Sequence, residues 1–416
     1  QHLDRITNGV NLLDDVPLNT LLVHVKWRER AKSGAPCTKA EMAEMKRLLN
    51  EAMDCGMMGF GVQRLGEHSL QADFDGTPMP TDMMSDEDLL ELGRVLAERG
   101  EGFVEMINAQ HGDPLSMGAA DDKLFVERFA EACERPVLYN VVTALDDMPE
   151  AHFEQLKWLH DCHARGLRIY GQGLTVRSPF QFTLEHWNLY DSSPAWNEAT
   201  QGTSAERMVK LADPEIRKRM IAEDESLITL GVGGPIAGLK VQDTPGHPEL
   251  EKYHGRLIGE IAETEGKHPV DAMLDIGVAG ELNVLYRTQD ISSTDPVKVG
   301  ALCRDQHVIP GSSDGGAHTK FLTAGRYPTE TLTKIVREHG MLSLEDAHWR
   351  LSALPAQLCG CKDRGTLEVG SPADIVVYDY ENLEILPPEV VHDLPGDEWR
   401  RDSGGKGNAQ FLFRGE

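Results

Sequence analysis

The sequence predicts an α/β fold in which parallel strands alternate with crossover helices. Short apolar runs of strand length recur between positions 21 and 174, and segments with helical signals stand between them. Strands and helices that alternate at this spacing are typical of parallel sheets, because each strand needs a crossover helix to reach the next. The 416 residues exceed one ordinary domain, so one large barrel and two domains are both compatible with the length.

The first half of the chain supports this prediction element by element. Two predicted helices begin with a hydroxyl residue followed three positions later by an acid, Thr38 with Glu41 and Ser85 with Asp88, and both stop at a glycine. The predicted helices cover residues 38–55, 85–100, 123–133 and 150–165. The apolar runs predicted as parallel strands are residues 21–25, 57–62, 103–107, 136–142 and 167–170.

The second half of the chain is less regular. Residues 175–280 contain several prolines, and we predict a long insertion with one or two helices that covers the mouth of the barrel. The alternating pattern then resumes, with strands predicted at 282–286 and 307–309 and helices at 329–339 and 343–354. Turns and short strands predominate after residue 365. We therefore assign residues 1–360 to a barrel domain and residues 361–416 to a small β portion.

The composition excludes several classes of function. Lys and Arg total 41, Asp and Glu total 68, and the net charge of −27 repels phosphate backbones and anionic lipids. No apolar run approaches the ~18 residues of a membrane span, residues 1–15 lack the pattern of a signal peptide, and seven scattered cysteines favour free thiols. We expect a cytoplasmic enzyme with a small-molecule substrate and no nucleic-acid or membrane partner. An anionic substrate would require a locally basic pocket.

The most informative stretch is residues 308–318, where an apolar run ends in small residues, an acid, two glycines and a histidine. In an α/β barrel the C-terminal ends of the strands carry the chemistry, and Asp314 would lie there. A carboxylate in this place can bind a metal ion, take a proton from an attacking water, or do both in turn. An Asp-Gly-Gly sequence is also typical of an N-cap in a tight turn, so both interpretations stay open at this point.

Other candidate residues have a structural explanation beside the functional one. Glu105 interrupts an apolar strand, where a buried acid is costly unless it is paired or binds a metal, although a strand-end acid in water fits equally. His24 lies within the first predicted strand, as a site residue or as a hydrogen-bonded core histidine. The same two explanations apply to Asn140, Gln172, the helical pair His160 and His163, and the pair Cys359 and Cys361.

Several stretches match a known family in order along the chain. They are residues 313–318 (SDGGAH), 342–347 (LSLEDA), 354–357 (LPAQ), 363–379 (DRGTLEVGSPADIVVYD) and 391–396 (VHDLPG). With these stretches the chain resembles the amidohydrolase superfamily, specifically its N-acyl-D-amino-acid deacylase (D-aminoacylase) branch. The resemblance touches most of the chain and is weakest over residues 175–279.

The resemblance implies a metal-dependent (β/α)₈ TIM barrel with a small β-sandwich, which hydrolyses an amide through a metal-activated water. It implies one or two divalent ions, zinc first, with Asp314 as both metal ligand and proton shuttle. Glu105 stands near a metal-ligand position of the family and is the second candidate ligand. His24 matches a histidine of the third strand, and His318 follows Asp314 where the pocket forms. The cations near an anionic end of the substrate would be Lys320, Arg326 and Arg64.

The sequence also departs from this family. The first-strand His-x-His pair and the first half of the β-sandwich have no counterpart in it, so we expect a barrel without its N-terminal strands. Asn140 stands near another ligand position, and amide side chains are poor zinc ligands. The alternative function is therefore an inactive or truncated relative that only binds a ligand or partner. Exposed apolar strand edges would also favour association, including a homo-oligomer.

Overall fold

A parallel sheet of six strands forms the centre of the computed structural model. The structure describes residues 12–69, 71, 73–111, 119–146, 148–177, 179–186, 190, 193–224, 234–290, 292–315, 318–322, 324–407 and 410–412. In spatial order the strands are β1 (Val16–Pro17), β2 (Gly59–Arg64), β3 (Phe103–Asn108), β4 (Val137–Thr143), β5 (Ile169–Leu174) and β9 (Val308–Pro310). All five pairings between them are parallel, which confirms the predicted α/β class.

The helices pack on one face of this sheet. Between β1 and β5 they are α1 (Leu18–Lys26), α2 (Arg28–Lys32), α3 (Lys39–Asp54), α4 (Asp86–Arg99), α5 (Ala120–Cys133) and α6 (Ala151–Ala164). Alternate strand residues such as Phe60, Val104 and Tyr139 are buried against them, with the Phe60 ring 6.2 Å from that of Phe129 on α5. The opposite, inner face is only half-buried, and it carries the polar residues of the strands.

The first predicted strand is wrong, because residues 21–25 belong to α1. Leu18, Leu21 and Leu22 are buried at spacings of three and one, which is a helical stripe rather than an alternation. The strand at this position is the two-residue β1, directly before the helix. His24 therefore lies on an exposed part of a helix and not within the sheet.

The insertion has more structure than the sequence predicted. It holds an antiparallel sheet of β6 (Pro179–Phe182), β8 (Leu285–Asp290) and β7 (Lys240–Asp243), in that order. Its helices are α7 (Pro194–Thr200), α8 (Ser204–Ala212), α9 (Pro214–Asp224), α10 (Ile258–Glu265) and α11 (Pro269–Ala279). Trp196, Tyr190 and Tyr286 are buried in its own hydrophobic core. The strand expected at 282–286 is thus β8 of this sheet, not a strand of the parallel one.

The remaining helices follow the insertion. They are α12 (Pro296–Arg304), α13 (Tyr327–Glu330) continued by the wider turns of Thr331–Glu338, and α14 (Leu344–His348), which runs through Trp349–Ala353 into α15 (Leu354–Cys359). Short 3₁₀ turns occur at Gly66–His68, Pro80–Met83, Ile236–Gly238, Pro248–Tyr253 and Ala324–Arg326. Over the part of the chain that the structure describes, no helix is both long and apolar enough to cross a bilayer.

The C-terminal part consists of short antiparallel pairs, as the sequence predicted. The pairs are β10 (Ile375–Val377) with β15 (Gln410–Leu412), β11 (Glu384–Ile385) with β14 (Gly405–Lys406), and β12 (Glu389–Leu394) with β13 (Glu398–Asp402). The domain boundary at residue 360 stays a prediction.

Candidate active site

Asp314 lies on the turn that follows β9, at the carboxyl end of the parallel sheet. The backbone NH of His318 donates to the Asp314 carbonyl (3.2 Å) and closes the turn. Asp314 has a φ of 48°, in the left-handed region, and Gly311 a φ of 91°. A Cβ on Gly311 would lie 1.8 Å from the Tyr327 ring, so only glycine fits there. The predicted tight turn is present, and Asp314 is at the edge where barrels carry their chemistry.

The Asp314 carboxylate and the His318 imidazole face each other. The distance between His318 Nε2 and Asp314 Oδ2 is 3.9 Å, and the two side chains expose 20% and 41% of their surface. Partial burial raises the pKa of Asp314, and the charge of His318 opposes this rise. The pair is thus a carboxyl group of raised pKa that remains open to solvent, next to a group able to exchange protons with it.

Glu105 lies on the inner face of β3, close enough to Asp314 for the two charges to interact. Its backbone pairs with Gly61 on β2 and Leu138 on β4, which places its side chain among the inward residues. Burial raises the pKa of Glu105, the carboxylates of Asp15 and Asp314 raise it further, and the Asn140 side chain opposes the shift. The structure therefore brings together the two residues that the sequence proposed as metal ligands.

Asp15 is a member of this cluster that sequence reasoning missed. It stands directly before β1, and burial raises its pKa. A Cβ on Gly61 would lie 3.0 Å from Asp15 Oδ2, so glycine at this position leaves room for the carboxylate. The signal is an acid one residue before a buried valine, and the strand predicted at 21–25 instead of 16–17 hides it.

Two further side chains border the inner face. Burial raises the pKa of the Cys359 thiol to about 11, and the charges of Cys361, Asp15 and Glu105 add to this rise. Cys359 is the last residue of α15, so this helix ends close to the carboxylates of Asp15 and Glu105. Gln172 on β5 pairs with Ile309 on β9, and its Oε1 is buried without a hydrogen-bond partner among the described residues. An unsatisfied buried amide oxygen is costly unless another group binds it.

The described residues only partly fit the metal centre that the sequence resemblance implies. Glu105 and Asp314 are oxygen donors of like charge, whose repulsion a divalent cation would relieve. Within the described ranges, however, no three His, Cys, Asp or Glu side chains are arranged to hold a metal ion. Zinc sites usually have three or four protein ligands. The described residues alone would therefore not complete such a site.

Arg64 and His24 are not directed toward Asp314. Arg64 is buried on the helix side of β2, where it donates to Asp86 Oδ1 (2.7 Å) and to Asn108 Oδ1 (3.3 Å). His24 on α1 acts electrostatically on Glu44 of α3, which is also on the helix side. Their proposed contact with a substrate remains a prediction that the observed positions do not favour.

Lys320 and Arg326 lie on the Asp314 side, but acids already neutralise them. Lys320 Nζ is 2.5 Å from Glu398 Oε2 on β13. Arg326 Nε is 3.2 Å from Glu330 Oε2, and its terminal nitrogen donates to the carbonyl of Arg177. An anionic substrate would have to compete with these carboxylates for either cation.

Comparison with known proteins places the chain in one family. A profile described as the amidohydrolase family matches residues 13–395. An uncharacterized protein of Mycobacterium tuberculosis is 27% identical over 372 residues, which are 83% of this chain and 57% of that protein. An N-acyl-D-glutamate deacylase of Alcaligenes xylosoxydans xylosoxydans is 46% identical over 140 residues, 33% of this chain and 26% of the relative. The chain thus spans well under two thirds of the length of these relatives.

Solved structures confirm the predicted barrel class. The N-acyl-D-glutamate deacylase from Bordetella bronchiseptica, complexed with zinc and a phosphonate inhibitor, superposes with a TM-score of 0.56 at 17% identity, over 92% of this chain and 65% of that one. A D-aminoacylase gives a TM-score of 0.55 at 18% identity, over 90% and 63%. At these identities the likeness shows a shared fold, an α/β fold of the TIM-barrel type.

Proposed function

Because this chain belongs to the amidohydrolase family, we propose that it hydrolyses the C–N bond of a small acylated amino acid or related amide. The observation that supports this most directly is the position of Asp314. Its carboxylate is at the carboxyl end of the sheet, and Oδ2 is 3.9 Å from His318 Nε2. The charge of this carboxylate also raises the pKa of Glu105. Stretches of N-acyl-D-glutamate deacylase and D-aminoacylase similar to this chain support the same class of substrate.

Asp314 is proposed as the group that moves protons. A carboxyl group with a raised pKa is a stronger base than an ordinary aspartate, so it accepts the proton of an attacking water more readily. In its acid form it then donates that proton to the leaving nitrogen. His318 is placed to orient the scissile carbonyl or to exchange a proton with Asp314 Oδ2.

A divalent cation, zinc in the first instance, is part of this proposal. Glu105 and Asp314 would be its ligands from the described residues, and further ligands would have to come from elsewhere. When bound, such an ion supplies Lewis-acid activation of water. The charge of Asp314 raises the pKa of Glu105, and a cation near both carboxylates would favour the ionised form of each.

The test is Asp314→Asn, with kcat measured on a panel of N-acyl-D- and N-acyl-L-amino acids. We expect kcat to fall by about 10²–10⁴-fold, as loss of a general base does, while the unfolding midpoint stays near that of the wild type. Asp363→Asn is the matched control, since that carboxylate is 65% exposed and belongs to another part of the chain. Near-normal turnover by Asp314→Asn would remove Asp314 from the mechanism.

One observation favours the alternative, a relative that binds a ligand without hydrolysing it. The described residues do not complete a metal site, and Asn140 occupies the inner face beside Glu105. Elemental analysis of the dialysed wild-type protein separates the two functions. About one equivalent of zinc supports the enzyme, and no bound metal together with tight binding of an N-acyl amino acid supports the alternative.

A further inference from the structure

The turn that carries Asp314 depends on its surroundings for its shape. Residues 311–315 and 318–322, which we call the Asp314 turn, connect β9 to the 3₁₀ turn at Ala324–Arg326. Asp314 has a φ of 48° there, a conformation that is unfavourable for a residue with a side chain. Such a conformation persists only where neighbouring groups fix the backbone. The contacts that fix this turn therefore bear on the proposed site.

The parallel sheet fixes the start of the Asp314 turn. The backbone NH of Gly311 donates to the carbonyl of Gly173 on β5 (2.7 Å). At the other end, the backbone NH groups of Phe321 and Leu322 donate to the carbonyl of His318 (2.8 and 2.9 Å), so the chain coils around that residue. The position of the His318 side chain thus depends on what holds this coiled end.

Three consecutive carbonyls at the coiled end accept hydrogen bonds from two remote segments. The backbone NH of Arg401 on β13 donates to the carbonyl of Thr319 (2.8 Å), and its Nε donates to the carbonyl of Lys320 (3.0 Å). The backbone NH of Gln181 on β6 donates to the carbonyl of Phe321 (3.0 Å). The C-terminal hairpin of β12 and β13 and the insertion therefore hold the turn from outside the parallel sheet.

Trp399 of the same hairpin limits the orientation of the Arg401 side chain. The centre of its ring lies 5.7 Å from Arg401 Cζ, 5.0 Å from Lys320 Nζ and 5.5 Å from the centre of the His186 ring of the insertion. Lys320 Nζ also pairs with Glu398 Oε2 (2.5 Å). Cations beside an aromatic ring are attracted to it. These contacts keep the guanidinium next to the turn, where Nε reaches the Lys320 carbonyl.

The neighbouring arginine has a different role. Arg400 pairs with Asp393 (2.8 Å) and Asp402 (3.0 Å), both of which belong to the hairpin itself. Successive side chains of a strand point to opposite faces, so Arg400 is directed away from the side on which Arg401 contacts the turn. Arg400 is therefore a matched control for Arg401, with the same side chain one position away.

We infer that Arg401 is a positioning residue, which holds the Asp314 turn through its Nε–H and thereby sets the place of His318 relative to Asp314. This role rests on the proposed function, in which Asp314 moves the proton and His318 Nε2 lies 3.9 Å from its Oδ2. A displacement of about 1 Å in a reacting group can lower a rate about 10²-fold. A turn that is held less firmly should therefore lower kcat more than it changes KM.

The test compares Arg401→Met with Arg401→Gln. Both substitutions remove the charge, but the side-chain nitrogen of Gln is as many bonds from Cα as the Nε of Arg and can donate to the Lys320 carbonyl, whereas Met cannot. For Arg401→Met we expect kcat on N-acetylmethionine to fall about 10–100-fold. KM should stay within about threefold, and Arg401→Gln should recover most of the loss in kcat. Arg400→Met should leave both constants within about twofold.

Hydrogen exchange measured by mass spectrometry separates this inference from the proposed function, because it needs no turnover. Peptides that contain Phe321 and Leu322 should exchange about 5–10-fold faster in Arg401→Met than in the wild type, since the turn opens more often when it loses a hydrogen bond. Arg401→Gln and Arg400→Met should exchange like the wild type. If the wild type hydrolyses no amide, the proposed hydrolysis fails, and these exchange rates still decide whether Arg401 holds the turn.

Three results would each overturn the inference. They are equal exchange in wild type and Arg401→Met, an Arg401→Gln variant as impaired as Arg401→Met, and a rise in KM at unchanged kcat. The second of these would show that the charge of Arg401 matters and not its Nε–H. Urea unfolding shows whether the variants are folded, and Arg401→Ser, whose side chain is too short to reach the Lys320 carbonyl, replaces Arg401→Met if the latter is not.

Discussion

His307 packs against two other histidines at the end of the sheet opposite to Asp314. Its ring stacks on that of His163 with the centres 3.6 Å apart, and the ring of His160 is 4.7 Å away. Asp305 accepts a hydrogen bond from His160 Nε2 at 2.7 Å, so a carboxylate lies beside this group of imidazoles. The His160 and His163 pair, which the sequence left open, thus helps to attach α6 to the start of β9.

Acid should weaken this cluster. Burial and then His163 and His160 lower the pKa of His307 to about 4, against about 6.5 in an unfolded chain. Between these values the unfolded state binds more protons, so stability is highest above pH 6.5 and falls as the pH drops toward 4. Since the ring is partly exposed, we expect a loss of only about 1 kcal/mol between pH 7.5 and pH 5.

Urea unfolding at the two pH values measures this loss. The raised pKa values of Glu105 and Asp314 make the free energy of unfolding rise as the pH falls, opposite to the effect of His307. The informative quantity is therefore the difference in pH sensitivity between wild type and His307→Gln. The variant should be less sensitive to the change in pH than the wild type. Equal sensitivity would show that the histidine cluster does not titrate in this range.

At the scale of secondary-structure elements, Arg64 links the end of β2 to the start of α4 through hydrogen bonds. Its buried guanidinium donates to Asp86 Oδ1 (2.7 Å), to the carbonyl of Met84 (3.3 Å) and to Asn108 Oδ1 (3.3 Å). Arg64→Met would leave these acceptors without their donor, and we expect a loss of about 2–3 kcal/mol in the free energy of unfolding. KM should not change, because these contacts are on the helix side of the sheet.

The control is Arg128→Met. Arg128 approaches the same Asp86 at 3.4 Å but is 53% exposed, so its removal should cost less than about 0.5 kcal/mol. A rise in KM for Arg64→Met without loss of stability would instead support the substrate contact that the sequence suggested. Both quantities come from the same purified proteins, by urea unfolding and by steady-state kinetics.

The elements that the sequence predicted well are those fixed by local chemistry. Thr38 and Glu41 form the expected capping box of α3, and the Ser85 hydroxyl accepts from the backbone NH of Asp88 at the start of α4. The prediction of a strand at 21–25 is wrong because four apolar residues in a run of five do not distinguish a strand from a buried helix. The strand predicted at 282–286 overlaps β8, which begins at Leu285, but its antiparallel partners β6 and β7 are remote in sequence.

The same distinction applies to the site within the whole molecule. Asp314 and Glu105 were identifiable because an acid at a strand end, or within an apolar strand, is unusual for its immediate surroundings. Asp15 was not, because only the folded chain brings it to the inner face of the sheet. Long-range packing therefore supplies the part of the candidate site that the local sequence does not reveal.

The C-terminal part leaves apolar side chains in contact with water. The Leu367 side chain is 83% exposed and that of Val369 is fully exposed. Val376 and Val377 on β10 are each 52% exposed. Exposed apolar side chains on a strand, such as those of β10, are typical of a face that another segment or another chain covers. The sequence suggested association from exposed strand edges, and this surface gives the suggestion a specific location.

We expect the protein to associate as its concentration rises, with the exposed side of β10 in the contact. The net charge of −27 opposes association, so more salt should strengthen it, because salt screens the repulsion and leaves the apolar attraction in place. Light scattering after size exclusion, at low and high salt, measures the mass.

The double variant Val376→Thr and Val377→Thr keeps strand-forming side chains and should shift the protein toward the monomer. Val209→Thr on α8, at another exposed valine, should not. A monomer of wild-type protein at every concentration and salt level would show that this surface does not pair with a second copy.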